Sequence, residues 1–131
     1  MKTRSGGCLC GAVRYVVRGE PFRHGICDCA DCRKESGSVF VVYAHWRCED
    51  AEVTGPFSSY NGRSFCPTCG STVGWTLDLR PNQFGVAVGC FNDRNFPRPI
   101  QSIWEEEMCA WAVLPADILH FPRGRSVPSA S

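Results

Sequence analysis

The placing of the cysteines constrains this chain more than any other feature. Seven of the ten fall into three tight clusters: Cys8-Leu9-Cys10, Cys27-Asp28-Cys29-Ala30-Asp31-Cys32 and Cys66-Pro67-Thr68-Cys69. Zinc takes four soft ligands where it is structural, and three plus an open position where it is catalytic. Two of the clusters are pairs, which together make a closed four-thiolate site; the remaining trio makes an open one. A disulfide framework is the competing use of so many cysteines, and it needs an oxidising compartment. The segment from Met1 to Gly7 has no apolar run of the secretory kind, and no stretch of the chain approaches the length of a membrane span. Cys8 and Cys10 are also too close to bridge each other comfortably. The expectation is therefore zinc, two ions per chain, one structural and one labile or catalytic, in a cytoplasmic protein whose thiols stay reduced.

At 131 residues the chain has the length of a single domain. Its net charge of +1 comes from interleaved acids and bases. A dedicated duplex-DNA binder shows a basic stripe, and none is present, although a small anionic ligand needs only a few well-placed bases. The apolar period is mostly two. Gly11 to Arg18 sets Val13, Tyr15 and Val17 on one face and Arg14 and Arg18 on the other. Val39 to Trp46 is a longer β-branched and aromatic run, and Thr72 to Leu77 sets Val73, Trp75 and Leu77 on one side. Phe84 to Phe91 alternates large residues with Gly85, Ala87 and Gly89, and a strand face of small residues implies something packed closely over it. Only Ala30–Ser36 and Pro115–Leu119 suit short helical turns. From Arg123 onward the Gly, Arg, Ser and Pro content reads as a tail. The expected product is one mainly β domain over residues 1–122, tied by zinc and built of short antiparallel sheets with little helix, followed by a flexible segment over 123–131.

The most specific local signal is Phe65-Cys66-Pro67-Thr68-Cys69-Gly70-Ser71. A Cys-Pro-x-Cys-Gly turn is a zinc knuckle: proline presets the turn, and glycine lets backbone amides approach the second sulfur. Such amide contacts offset thiolate charge. Cys8 and Cys10 are the best unused partner pair, and joining them brings the first strand beside the middle of the chain. Cys27, Cys29 and Cys32 can face a single metal at about 2.3 Å each, leaving one position for water or a substrate thiol. A metal-bound thiol ionises below its free pKa of about 8.5. Arg33 and Lys34 add positive charge beside that site and can receive the carboxylates of an anionic thiol. The alternative is a fourth protein ligand, from His24, Asp28 or Asp31, that closes the site.

Gly7 to Tyr15, Cys27 to Ser38 and Arg63 to Ser71, in this order and spacing, resemble the glutathione-dependent formaldehyde-activating enzymes, whose broader group includes centromere protein V. The stretch from Pro99 to Trp111 resembles the family's C-terminal end. The resemblance implies a β-tent, a sheet-rich zinc fold shared with a mammalian Rab-exchange chaperone. It implies Cys8, Cys10, Cys66 and Cys69 on a structural zinc, and Cys27, Cys29 and Cys32 on a catalytic one. It also implies a carbon–sulfur lyase of the S-(hydroxymethyl)glutathione synthase type, adding glutathione to formaldehyde. Two departures stand out: a short segment between Cys32 and Cys66, with a tight Tyr60-Asn61-Gly62 turn, and Ser102 where relatives often carry histidine.

The reading is then an enzyme that activates a small-molecule thiol, glutathione first, at the open zinc, with Arg33, Lys34 and Arg63 holding its carboxylates. The competing class is a non-catalytic zinc module for a protein or nucleic-acid partner. A deep pocket at the trio favours the enzyme; a sheet face with exposed aromatics and a basic rim favours the module. Asp28, Asp31 and Glu35 are candidate bases, and His24 is the histidine to test as ligand or proton acceptor. His45 and His120 read as packing, Cys48, Cys90 and Cys109 as small apolar residues, and Trp46, Trp75, Trp104 and Trp111 as core, with an aromatic wall for the ligand as the alternative.

Overall fold

A computed structural model describes residues 1–75 and 84–125. Among these residues, eleven strands form two sheets. A three-stranded antiparallel sheet has the order β1-β2-β5, from Thr3–Gly7, Arg14–Arg18 and Ala51–Thr54. An eight-stranded sheet runs β11-β10-β3-β4-β9-β8-β7-β6. Its strands are β3 Arg23–Cys27, β4 Val41–Trp46, β6 Ser58–Tyr60, β7 Arg63–Phe65, β8 Thr72–Trp75, β9 Phe84–Ala87, β10 Gln101–Ile103 and β11 Leu119–His120. The α-helix of the described residues, α1, spans Ala30–Ser36, as the sequence indicates. The fold is mainly β, but the large sheet is mixed, because β10 pairs parallel with both β3 and β11.

The core lies between the sheets. Val13, Tyr15 and Val17, the apolar face read from the alternation, are buried against Ala44, Trp46, Phe84 and Val86. Each buried valine or phenylalanine among them contributes roughly 1.5–3 kcal/mol by leaving water. The two large polar-tipped rings are satisfied: Tyr15 donates to the Ala87 carbonyl and the Trp46 indole to that of Gly19, both at 3.0 Å. Tyr15 meets Phe91 edge-on at 5.3 Å.

The other face of the large sheet carries a smaller cluster around Cys27, Cys32, Val41 and Tyr43. The registers Arg23↔His45, Gly25↔Tyr43 and Cys27↔Val41 align β3 with β4, while Gln101 and Ile103 of β10 oppose Gly25 and Cys27. Gly85 stands on this face with Ala87, and a Cβ at Gly85 would come within 2.8 Å of the His45 ring. The small-residue face read from the sequence is thus where His45 packs.

Several sequence expectations change. Val73 and Trp75 do not share a side: the β7–β8 register slips between Ser64 and Phe65, so that Val73 enters the main core while Trp75 joins the smaller cluster. One extra residue in a strand reverses the alternation beyond it. Leu77 lies outside the described residues. The strand from Phe84 ends at Ala87 and continues as a 3₁₀ turn over Val88–Cys90. Pro115–Leu119 is not helical; residues 116–117 turn, and the chain then enters β11. Trp111 is 72% exposed rather than core. The Tyr60–Gly62 turn is a tight hairpin, with φ of 52° at Asn61 and 80° at Gly62, the paired left-handed conformation that asparagine and glycine favour. At the far end, the Trp104 amide donates to the Arg123 carbonyl and Arg123 pairs with Glu106, while residues 126–131 lie outside the described part.

Candidate metal centre

Two turns meet to form the four-cysteine cluster. In the first, Cys8 and Val13 exchange backbone and sulfur contacts: the Cys8 amide donates to the Val13 carbonyl at 3.0 Å, and the Val13 amide to the Cys8 sulfur at 3.2 Å. In the second, the Gly70 amide donates to the Cys66 carbonyl at 2.8 Å, with Gly70 at φ 79°. The left-handed conformation explains the glycine after the second cysteine. The turns are joined by the Leu9 amide, which donates to Ser71 Oγ. Cys8–Cys10 and Cys10–Cys66 sulfurs are each 3.7 Å apart. A tetrahedral ion with four sulfurs at about 2.3 Å spaces them by about 3.8 Å, so this cluster has the dimensions of a zinc–thiolate site. The Ser71 hydroxyl, with backbone amide contacts, holds the Cys69 thiol down at about 5, and the Val13 amide lowers that of Cys8. Against the Ala12 amide, which lowers it, burial and the neighbouring thiols push Cys10 up to about 11, so Cys8 and Cys69 are the thiols of this cluster readied to ionise before metal arrives.

The second cluster is local. Cys27 ends β3, Cys29 caps α1, and Cys32 lies in its first turn. The Cys29 sulfur accepts from the Cys32 amide at 3.3 Å. The three sulfurs lie within 4.8 Å of one another, with Cys27 and Cys32 buried and Cys29 half-buried. Hydrogen bonding from Cys32 lowers the Cys27 thiol to about 7, and the same contact, with burial, pushes Cys32 up. One shared negative charge is therefore accommodated without an ion, while three would need one.

Among the described residues, no histidine or carboxylate brings a donor atom within 4.8 Å of all three sulfurs. His24 is excluded by strand alternation: it lies three residues before Cys27, on the opposite face, edge-on to Phe96 with ring centroids 5.1 Å apart. Asp28 is fully buried and accepts from Ser102 Oγ at 2.7 Å. Burial raises its pKa, opposed by that hydrogen bond. Ser102, read from the sequence as a departure from the family pattern, is thus the partner of Asp28. Asp31 is exposed. Glu35, one helical turn after Cys32, accepts from the Trp75 indole at 2.7 Å and pairs with Arg63 at 3.4 Å. Burial raises its pKa. Of the three candidate bases, Glu35 alone combines partial burial with contact to the trio.

A cleft of about 230 Å³ opens on Cys27 and Cys32, walled by Arg23, Tyr43, His45 and Trp75 among others. Arg33, Lys34 and Arg63 are not among the described residues that line it: Lys34 is exposed, and Arg63 is engaged by Glu35. His45, read as packing from the sequence, is a cleft residue, as are Arg23 and Tyr43. The available signal was the alternation Arg23, Gly25, Cys27, which delivers one strand face directly to the trio. His120 is a surface residue paired with Glu105 at 2.6 Å. Cys48 is exposed, and the half-buried Cys90 thiol donates to the Thr72 carbonyl.

The profile of the glutathione-dependent formaldehyde-activating enzyme family matches residues 3–107, a span that contains all seven clustered cysteines. A protein of Halomonas elongata, provisionally named a glutathione-dependent formaldehyde-activating enzyme, is 31% identical over 113 residues, covering 75% of this chain and 71% of that one. A crystal structure of a Rhodobacter sphaeroides protein, solved as a structural-genomics target, superposes with a TM-score of 0.51 at 26% identity over 70% of this chain and 90% of that one. Among the described residues, no helix is long and apolar enough to cross a membrane. The chain belongs to the glutathione-dependent formaldehyde-activating enzyme family.

Proposed function

We propose that this protein adds a small thiol, glutathione first, to formaldehyde or a related small electrophile, as a carbon–sulfur lyase of the S-(hydroxymethyl)glutathione synthase type. The observation that carries this reading is the cleft that opens directly on the Cys27 and Cys32 sulfurs. Cys8, Cys10, Cys66 and Cys69 would hold a structural zinc, and Cys27, Cys29 and Cys32 a second one. That second ion, when bound, supplies a Lewis acid that keeps an incoming sulfur ionised below its free pKa.

The chain's own residues do the rest. Val41, Trp75 and Ile103 give the sulfur and the electrophile an apolar flank. Arg33 and Lys34, in the last turn of α1, temper the negative charge of three thiolates. Arg63 fixes Glu35 beside Cys32. The substrate sulfur attacks the carbonyl carbon and a C–S bond forms. The carbonyl π pair moves to oxygen, which takes up the proton that the thiol gave up.

Thiols add to formaldehyde unaided, so the test is acceleration over that background. Rapid mixing of glutathione with formaldehyde should show a faster approach to equilibrium with the zinc-loaded parent, and the spontaneous rate with Cys29→Ala. Acceleration should depend less on pH than the free reaction does, because the thiolate is supplied below the thiol's own pKa. A Cys29→Ala protein as fast as the parent, or a parent no faster than buffer, overturns the reading.

A further inference from the structure

Beyond the hollow at the trio lies a second, of about 260 Å³, and the two share Arg23, Tyr43 and Ile103. They adjoin along β3 as a trough in two parts. Arg23, Gly25 and Cys27 point to the same face and span about 13 Å from first to last. Between the two parts, Tyr43 and Gln101 close over Gly25: a Cβ there would meet Tyr43 Oη at 2.6 Å and Gln101 Cγ at 2.8 Å.

The far end is built for an anion. Gln101, only 3% exposed, donates from Nε2 to Tyr43 Oη at 2.8 Å and accepts at Oε1 from Arg125 Nη1 at 3.0 Å. Its amide therefore has one orientation, and it steadies the Arg125 guanidinium over the trough. Arg23 lies over the Phe22 ring at 5.8 Å and Arg125 over that of Phe121 at 5.9 Å. The charged residues that line this hollow, among those described, are these two arginines. The Tyr43 phenol marks the midpoint. Burial raises its pKa, the Gln101 hydrogen bond and both arginines oppose that from one end, and Cys27 adds to it from the other.

We propose that Arg23 and Arg125 are the specificity residues of the thiol site, binding the carboxylate of an elongated thiol whose sulfur lies at Cys27 and Cys32. A free cysteine carries its carboxylate too close to its sulfur to reach both ends. A thiol on a short peptide arm, at about 3.3–3.6 Å per residue, reaches them. This assignment rests on the reading of the trio as a thiol-ligating centre. It moves carboxylate recognition from Arg33, Lys34 and Arg63, which lie off the cleft, to residues that line it.

The test is calorimetric titration of the zinc-loaded protein with glutathione, its diethyl ester, S-methylglutathione and 2-mercaptoethanol. Arg23→Ala should weaken glutathione about tenfold or more, as expected for a lost charge-assisted contact. It should leave 2-mercaptoethanol within about twofold, since that thiol has no carboxylate to lose. The diethyl ester should bind the parent as weakly as glutathione binds the variant. Arg125→Ala, on an exposed side chain, should repeat the pattern if Arg23→Ala folds poorly, whereas Arg33→Ala, which acts on the charge of the trio, should change glutathione and 2-mercaptoethanol alike.

Equal losses for glutathione and 2-mercaptoethanol in Arg23→Ala and Arg125→Ala, no loss for either of these two variants, or a loss confined to Arg33→Ala overturns the assignment. So does a parent that binds neither glutathione nor S-methylglutathione at millimolar concentration. S-Methylglutathione separates this proposal from the reaction itself, because its blocked sulfur tests the anion end alone. If its binding falls in Arg23→Ala while the parent fails to accelerate formaldehyde addition, the function is wrong and the anion site stands. If the parent accelerates and neither arginine matters, the reverse holds.

Discussion

His24 lies on the closed face of β3, 5% exposed, against Phe96. Burial, with the Arg4 charge nearby, lowers its pKa from the usual 6.5 to about 4. Above the unfolded value the imidazole is neutral in both states and costs nothing. Between about 6.5 and 4 the unfolded chain takes up a proton that the folded chain refuses, so stability falls as pH falls, by up to roughly 3 kcal/mol. A His24→Leu protein should lose less unfolding free energy between pH 7 and pH 5 than the parent; parallel acid slopes would refute this. Gly25 is the other residue whose role is geometric. Gly25→Ala should displace Tyr43 and Gln101 from the trough, and so weaken glutathione while leaving the metal content of the four-cysteine cluster unchanged. An unaltered glutathione affinity would show that the trough floor tolerates a methyl group.

Seven residues make α1 too short to persist alone, and it is held by its ends. Cys29 caps the first turn through sulfur, Glu107 Oε1 accepts from the Ala30 amide at 2.8 Å, and Gly37 closes the last turn at φ 68°, its amide donating to the Arg33 carbonyl. The Glu107 contact joins the trio's turn to the segment after β10, 77 residues away. Glu107→Ala should cost about 1 kcal/mol and loosen the second metal in competition with a chromophoric chelator, with the first unaffected. Unchanged retention of both ions would confine Glu107 to a surface role. The knuckle and α1 are legible in the sequence because their signals are local: Pro67 and Gly70 flank the sulfurs they position, and Cys29 and Gly37 adjoin the helix they cap, whereas the Glu107 contact is not legible there. The side of Trp75 was not legible, because the bulge that turns it away from Val73 depends on how β7 pairs with β8.

At the scale of the molecule, the two clusters carry different loads. The four-cysteine cluster ties the turn after β1 to the turn between β7 and β8, across the three-stranded and the eight-stranded sheets, whereas the trio closes only a local turn. Metal-binding energy is folding energy where the ligands come from distant segments. Cys66→Ser should therefore abolish the cooperative melt, while Cys29→Ser should melt like the parent and hold one ion fewer by native mass spectrometry. A Cys66→Ser protein as stable as the parent would overturn this division.

The sequence by itself determined the sulfur clusters, the knuckle turn, the short helix, the apolar face of β2 and the family, because each is written in residues adjacent along the chain or repeated at a fixed period. The tertiary structure decided which face of β3 meets a cleft, that His24 turns from the trio while Arg23 shares its side, and that β10 lies parallel beside β3 to place Gln101 there, where Arg125 bonds to it. These depend on which distant strand pairs with which. Gly25 meets Tyr43 eighteen residues later and Gln101 seventy-six residues later, and no local propensity at Gly25 encodes either neighbour.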